Sequence, residues 1–98
     1  MESHWSFLTN HAHVMVCLST GRDLTLREIA AKVGITERAT HRIVDELVRE
    51  GAIKKTKHGR CNHYELQPDF PLRHPLEEGC SVGQLLRAVT LHRDNSAS

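Results

Sequence analysis

The sequence contains no long apolar run, and a membrane-spanning helix needs roughly 20 predominantly apolar residues in succession. It also lacks a basic N-terminal stretch followed by an apolar core, so we expect no secretory signal and a cytoplasmic location. Cysteine is scarce, and Cys17, Cys61 and Cys80 form an odd, scattered set without a CxxC pair, which argues against a disulfide framework. These absences favour a cytoplasmic protein with reduced thiols and no membrane partner.

Charge of a single sign is missing as well, because 13 Lys and Arg residues nearly balance 12 Asp and Glu residues, for a net charge of +1. The charge is unevenly distributed, since residues 51–63 contain no acid and carry Lys54, Lys55, Lys57 and Arg60. Such a cluster suits contact with phosphate, and it equally suits a solvated hairpin whose lysines protect its edges. Charge alone does not separate these two interpretations.

The residue patterns of enzymes are also missing. We find no acid–base pair, no nucleophile elbow and no phosphate-binding loop, and 98 residues are few for a substrate cleft. The length fits one domain, and 39% hydrophobic with 26% charged residues is an ordinary globular mixture. We therefore expect no enzyme activity and no cofactor.

The spacing of apolar residues predicts a mainly α protein with a small β-hairpin, which is an α+β fold. A first helix is expected from Thr9 to about Leu18, and residues 23–24 are expected to form a very short strand. Thr25 and Glu28 then form a capping box, which predicts the start of a short second helix.

A glycine turn separates this second helix from a third, longer helix predicted over residues 36–50. After that helix the apolar period changes to that of strands. A strand is expected over residues 52–56, a turn over 57–60 and a returning strand over 61–66. Prolines make the following segment an extended connection, and a last helix is expected to begin at a second capping box, Ser81 to Gln84.

The order of elements over residues 26–66 points to a function. Two helices joined by a three-residue turn allow the second to project into a DNA major groove, which is about 12 Å wide. Residues 27–47 resemble the helix-turn-helix of MarR-like and ArsR-like winged-helix regulators. The resemblance rests on an acid followed by Ile29-Ala30, on the turn Val33-Gly34-Ile35-Thr36, and on Arg42-Ile43-Val44, with a following stretch from Leu47 to Ile53 that leads into the wing.

The resemblance implies a winged helix-turn-helix protein that regulates transcription by sequence-specific binding to double-stranded DNA. The expected order is helix, short strand, helix-turn-helix, β-hairpin wing and C-terminal helix. Thr40 departs from the family pattern, which usually has an apolar branched residue there; threonine has nearly the shape of valine, and its hydroxyl can bond back to the preceding turn. The expected divisions are a leader (1–8), the winged helix-turn-helix domain (9–67), a proline-rich connection with a C-terminal dimerisation helix (68–92) and a disordered tail (93–98).

The third helix is the predicted recognition helix, with a basic and polar N-terminal half and an acidic C-terminal half. In the major groove we expect contacts from Thr36, Arg38, Thr40, His41 and Arg42. The wing is expected on the minor groove or the DNA backbone, through Lys54, Lys55, Lys57, His58, Gly59 and Arg60. A solvated surface helix and a solubilising hairpin tip are the structural alternatives.

A homodimer is expected, because the chain is small and one recognition helix reads only a few base pairs. Its predicted interface consists of Trp5, Phe7, Leu8, Val82, Leu85, Leu86 and Val89. In the rival arrangement, the last helix folds back on the first helix of its own chain and completes a monomer core.

Other functions stay open at this point. A winged helix can also bind RNA or another protein, which the acidic half of the recognition helix would suit. Cys61 and His63 share a strand face and could serve a metal-sensing or redox-sensing regulator, although they lack the paired spacing of a structural zinc site. We therefore assign no metal site, and the sequence specifies no small-molecule effector.

Overall fold

The computed structural model describes residues 5–20 and 24–97, and in these residues it contains four α-helices and a two-stranded hairpin. The predicted fold, mainly α with a β-hairpin wing, is confirmed. No helix in the described part of the chain is long and apolar enough to cross a bilayer. The elements in chain order are α1 (Asn10–Thr20), α2 (Leu26–Val33), α3 (Glu37–Glu50), β1 (Ile53–His58), β2 (Cys61–Leu66), a 3-10 turn (Pro75–Glu77) and α4 (Val82–Ala97).

Local capping sets the bounds of α2. The Thr25 hydroxyl accepts a hydrogen bond from the Glu28 amide, and the Glu28 carboxylate accepts one from the Thr25 amide at 2.8 Å. The helix stops at Gly34, whose φ of 89° is left-handed and whose amide donates to the Ala30 carbonyl. The predicted capping box is therefore present.

α3 begins and ends with the same kinds of cap. The Thr36 hydroxyl accepts from the Ala39 amide at 3.0 Å, and Gly51 ends the helix with a φ of 95°. Glu37 in the first turn and Arg49 in the last turn both complement the helix dipole. Only residues 34–36 separate α2 from α3, so the two helices form a helix-turn-helix.

The core consists of two adjoining clusters. One lies between α1, α2 and α3 and contains Val14, Cys17, Ile29, Ile43 and Val44. The other lies between α1, the start of β1 and α4 and contains Met15, Ala52, Ile53, Val82 and Leu86. Leu47, Val48 and Tyr64 pack against both clusters and join them. Full burial of a Val, Leu or Ile side chain stabilises the fold by about 1.5–3 kcal/mol, so these few residues hold the small domain together.

The hairpin differs from the prediction at its tip. β1 and β2 pair antiparallel from Ile53 opposite Leu66 to His58 opposite Cys61. The turn is therefore only two residues long, Gly59 and Arg60, instead of the predicted 57–60. Gly59 has a φ of 64°, which glycine tolerates better than other residues. Lys57 and His58 thus belong to the strand.

Two further boundaries differ from the sequence-based expectation. The described sheet contains two strands, and Leu24 is not in either of them; Asp23, the other residue of the predicted short strand, lies outside the described residues. α4 continues through residues 93–97, where a disordered tail was expected. No glycine or proline occurs between residues 84 and 97 to end the helix.

The last helix packs on its own chain. Ser81 and Gln84 form the predicted second capping box, with the Ser81 amide donating to the Gln84 side-chain oxygen at 2.8 Å. Val82 and Leu86 are 8% and 5% exposed in the second core cluster. Their assignment to a dimer interface is therefore wrong, because they complete the core of a single chain as the rival arrangement proposed. Leu85 and Val89 are half-buried.

Candidate nucleic-acid interface

The candidate site is the outer face of α3. Ile43 and Val44 are buried, and Ala39, Leu47 and Val48 are half-buried, so the amphipathic helix turns its opposite face outward. An open groove runs along that face in the described part of the chain, lined by α3 and its cap: Thr36, Glu37, Arg38, Ala39, His41, Arg42, Asp45, Glu46 and Arg49. The predicted division into a basic first half and an acidic second half lies along this groove.

Arg38 and Arg42 are both exposed and lie one helical turn apart, so their guanidinium groups share one face. Thr36 is exposed at the helix N-terminus, where unpaired backbone amides give a positive end to the helix dipole. His41 lines the same groove as the two arginines. Four of the five predicted recognition residues are therefore together and accessible.

Thr40 is the exception, and its prediction as a DNA contact is wrong. Its side chain is 0% exposed, and its hydroxyl donates to the Thr36 carbonyl at 3.0 Å. The residue lies on the stripe of Ile43, Val44 and Leu47, which is the core face of α3. That spacing was the signal in the sequence that could have placed Thr40 inside.

The acidic half of α3 carries two histidine–carboxylate pairs. His41 Nδ1 lies 3.2 Å from Asp45 Oδ2, one turn along the helix, and both side chains are more than half exposed. His11 Nε2, on α1, lies 2.7 Å from Glu46 Oε1. Sequence reasoning missed the second pair, because its partners are 35 positions apart and no local pattern joins them.

The electrostatic effect of the second pair falls on Glu46. The hydrogen bond from His11 is the main cause that lowers the pKa of the Glu46 carboxyl, while lost hydration acts in the opposite direction. The positive charges of Arg42 and Arg49 add to the lowering. Glu46 is therefore held in its ionised form, as a fixed negative charge beside the arginines.

The wing divides its cations between two faces. Ile53, Lys55 and Lys57 alternate onto one face of β1, whereas Lys54 points to the other, directly opposite Glu65. Lys54, Lys55, Lys57, Gly59 and Arg60 are all exposed, and the side chain of His58 lies outside the described residues. Lys55, Lys57 and the turn residue Arg60 are therefore better placed for a common phosphate surface than Lys54.

The remaining predicted positions form an apolar surface. Trp5 and Phe7 are 74% and 91% exposed, with ring centroids 4.9 Å apart in an edge-to-face arrangement. Phe7 and Leu8 lie along a mainly apolar groove that also includes Phe70 and Leu85. Exposed aromatic rings of this size mark a surface that a partner can cover.

Metal binding finds no support in the described residues. No group of three or more His, Cys, Asp or Glu side chains is close enough there to hold an ion. Cys17 is buried, whereas Cys80 is exposed. His63 is exposed, and the side chain of Cys61 lies outside the described residues, so a sensor role for this pair stays a hypothesis.

A short α2, a tight turn, an outward-facing α3 and a hairpin beside it define a winged helix-turn-helix protein. A sequence profile of the MarR family matches residues 9–60, which is more than half of the chain. The chain therefore belongs to the MarR family. The sequence resembles MarR-like and ArsR-like regulators, and this match confirms the resemblance to the MarR family.

Two solved structures are similar to this one. The M. tuberculosis transcriptional regulator MosR is 27% identical, with a TM-score of 0.51 over 92% of this chain. The zinc-dependent MarR family transcriptional regulator AdcR, in its Zn(II)-bound state, is 22% identical, with a TM-score of 0.51 over 97% of this chain, and this likeness concerns the fold alone. The chain spans 59% and 63% of the lengths of these two proteins. A comparison with curated proteins finds no significant match.

Proposed function

We propose that the chain is a non-enzymatic, cytoplasmic regulator of transcription that binds double-stranded DNA in a sequence-specific manner. The observation that carries this proposal is the outer face of α3, where Arg38, His41 and Arg42 are exposed on a helix-turn-helix of the MarR family. In the proposed complex, α3 lies in the major groove with its N-terminal half leading. The wing lies on the minor groove or the backbone.

The two arginines are the proposed base-reading residues. A guanidinium group can donate two parallel hydrogen bonds to the O6 and N7 atoms of guanine, and each such pair contributes about 1–3 kcal/mol of discrimination. Arg38 and Arg42 are one turn apart on the exposed side of α3, so both can reach into the same major groove of the DNA. Thr36 and the helix N-terminus favour a nearby phosphate.

The wing is proposed to contribute affinity more than sequence preference. Lys55 and Lys57 share a strand face, and Arg60 follows in the turn, where no regular platform fixes the direction of its side chain. Flexible cations of this kind neutralise phosphates and make binding dependent on salt. Lys54, opposite Glu65, contributes less in this proposal.

A homodimer is also part of the proposal, with a revised interface. Trp5, Phe7 and Leu8 remain candidates, joined by the half-buried Leu85 and Val89 of α4. Covering exposed aromatic rings favours association, and two recognition helices would read two half-sites about one DNA turn apart. Sedimentation at micromolar concentration tests this part separately from DNA binding.

The deciding experiment for the proposed function is selection of bound duplexes from a random pool, followed by affinity measurements at several salt concentrations. We expect an enriched motif and strong salt dependence. The double change of Arg38 and Arg42 to alanine should abolish enrichment. A change of the exposed helical arginine Arg87 to alanine, on α4, is the matched control and should leave it intact. No enrichment with the wild-type protein would refute the proposal.

A further inference from the structure

The two histidine–carboxylate pairs on the recognition surface have a consequence for its charge. The residues that line the groove along α3 include three arginines and three acids, Glu37, Asp45 and Glu46, a net charge of zero when histidine is neutral. Protonation of His41 in the groove and of His11, which contacts Glu46, adds two positive charges and brings the same surface to +2. The charge of this surface therefore depends on whether these two histidines are protonated, and histidine is the side chain that serves as a pH switch in proteins.

Both pairs lie where a change of charge matters. His41 and Asp45 are 64% and 51% exposed, and His11 and Glu46 are 46% and 47% exposed. Asp45 and Glu46 line the same groove as Arg38 and Arg42. A carboxylate on that groove repels DNA phosphate unless a cation beside it cancels its charge.

Without the histidines, the other charged groups leave this groove with no net positive charge. Arg42 and Arg49 act on Glu46 along α3, and both are already counted in the net charge of the groove. Arg73, from the connection, lines the same apolar groove as His11 but is bonded to Glu50 at 2.9 Å, and Glu77 of the 3-10 turn lines that groove as well. The groove beside His41 is lined, within the described residues, by α3 and its Thr36 cap.

We infer that His11 and His41 make the DNA affinity of this protein pH-dependent, with tighter binding at lower pH. The inference rests on the proposed function. Protonated His11 and His41 offset the charges of Glu46 and Asp45, and DNA phosphates in turn favour the protonated imidazoles. By thermodynamic linkage the two effects are reciprocal, so DNA binding takes up protons.

The test measures affinity for the duplex selected from the random pool, at pH 6.0, 7.0 and 8.0 and constant ionic strength. One proton taken up on binding changes the affinity by at most about tenfold per pH unit. We expect the wild-type protein to bind at least about tenfold more tightly at pH 6.0 than at pH 8.0. Calorimetry in buffers of different ionisation enthalpy should show proton uptake directly.

Variants assign the effect to the two pairs. The double variant His11→Gln and His41→Gln should lose most of the pH dependence, whatever its absolute affinity. His13→Gln is the matched control: His13 is also on α1 but bonds to Asn10 at 3.2 Å and faces away from the groove. It should retain the pH dependence. Changing Asp45→Asn and Glu46→Gln together should tighten binding at pH 8.0 and flatten the profile.

Several results would overturn the inference. A wild-type affinity that is equal at pH 6.0 and 8.0, with sequence-specific binding intact, contradicts it while leaving the proposed function in place. Loss of the pH dependence in His58→Gln, and its persistence in the double variant, would assign the effect to the wing instead. Failure to select any duplex at any of the three pH values, with circular dichroism showing a folded protein, refutes the proposed function and the inference with it.

Discussion

Thr40 offers a sharp test of which face of α3 meets DNA. The sequence predicts that Thr40 contacts DNA, whereas the structure buries it on the core face. Changing Thr40→Val keeps the shape and removes the hydroxyl, which donates to the Thr36 carbonyl. That carbonyl also accepts from the Thr40 amide at 3.0 Å, so no buried acceptor is left unpaired. The lost hydrogen bond costs about 1 kcal/mol, and the added buried methyl contributes about 0.8 kcal/mol.

The expected change in the free energy of unfolding for Thr40→Val is therefore within about 1 kcal/mol of zero, with unchanged DNA affinity. Thr40→Ala is the companion variant, and the lost methyl should destabilise the fold by about 1–2 kcal/mol, a Tm decrease of about 4–15 °C for a domain of this size. Thermal unfolding at one fixed protein concentration and a DNA titration measure both quantities. A Thr40→Val protein that is as stable as wild type but has lost sequence-specific binding would refute the burial argument.

The other predictions concern DNA contacts and the last helix. Replacing Arg38 or Arg42 by alanine should weaken binding to the selected site by about 1–3 kcal/mol and relax the base preference, as competition with altered duplexes would reveal; unaltered preference in both would contradict the assignment. Replacing Lys57 or Arg60 should weaken binding to all duplexes alike and reduce the slope of log affinity against log salt by about one for each lost phosphate contact. A loss confined to one sequence would mean direct base reading by the wing. Leu86→Ala should destabilise the fold by about 2–5 kcal/mol in chemical denaturation; a change below about 0.5 kcal/mol would show that Leu86 is not a core residue.

Sequence reasoning succeeded where local chemistry decides the structure. Thr25 with Glu28, Thr36, and Ser81 with Gln84 each supply hydrogen-bond partners to helix amides within three residues, so the helix starts can be read from adjacent letters. The exposed positions of Arg38 and Arg42 follow from the spacing of the apolar residues along α3. These elements also carry most of the proposed recognition surface.

Sequence reasoning failed where the structure depends on contacts between distant parts of the chain. Val82 and Leu86 form an apolar stripe that can serve a dimer or its own chain, and only the position of Met15 and Ile53 decides between them. The contact of His11 with Glu46 likewise requires α1 to cross α3, which no pattern within either helix specifies. The prediction for Thr40 is wrong for another reason: its polar side chain suggests a DNA contact, whereas its place in the apolar stripe of α3 buries it.

Because the two core clusters share residues, α4 and the helix-turn-helix form one cooperative unit. Leu47, Val48 and Tyr64 contact both clusters, so removing α4 uncovers part of the support beneath the recognition helix. Cutting the chain before Ser81, which removes α4, would therefore also destabilise the recognition helix. In the intact chain, amide hydrogens of α3 and of the first turns of α4 should exchange with solvent in a single cooperative opening, at one common free energy.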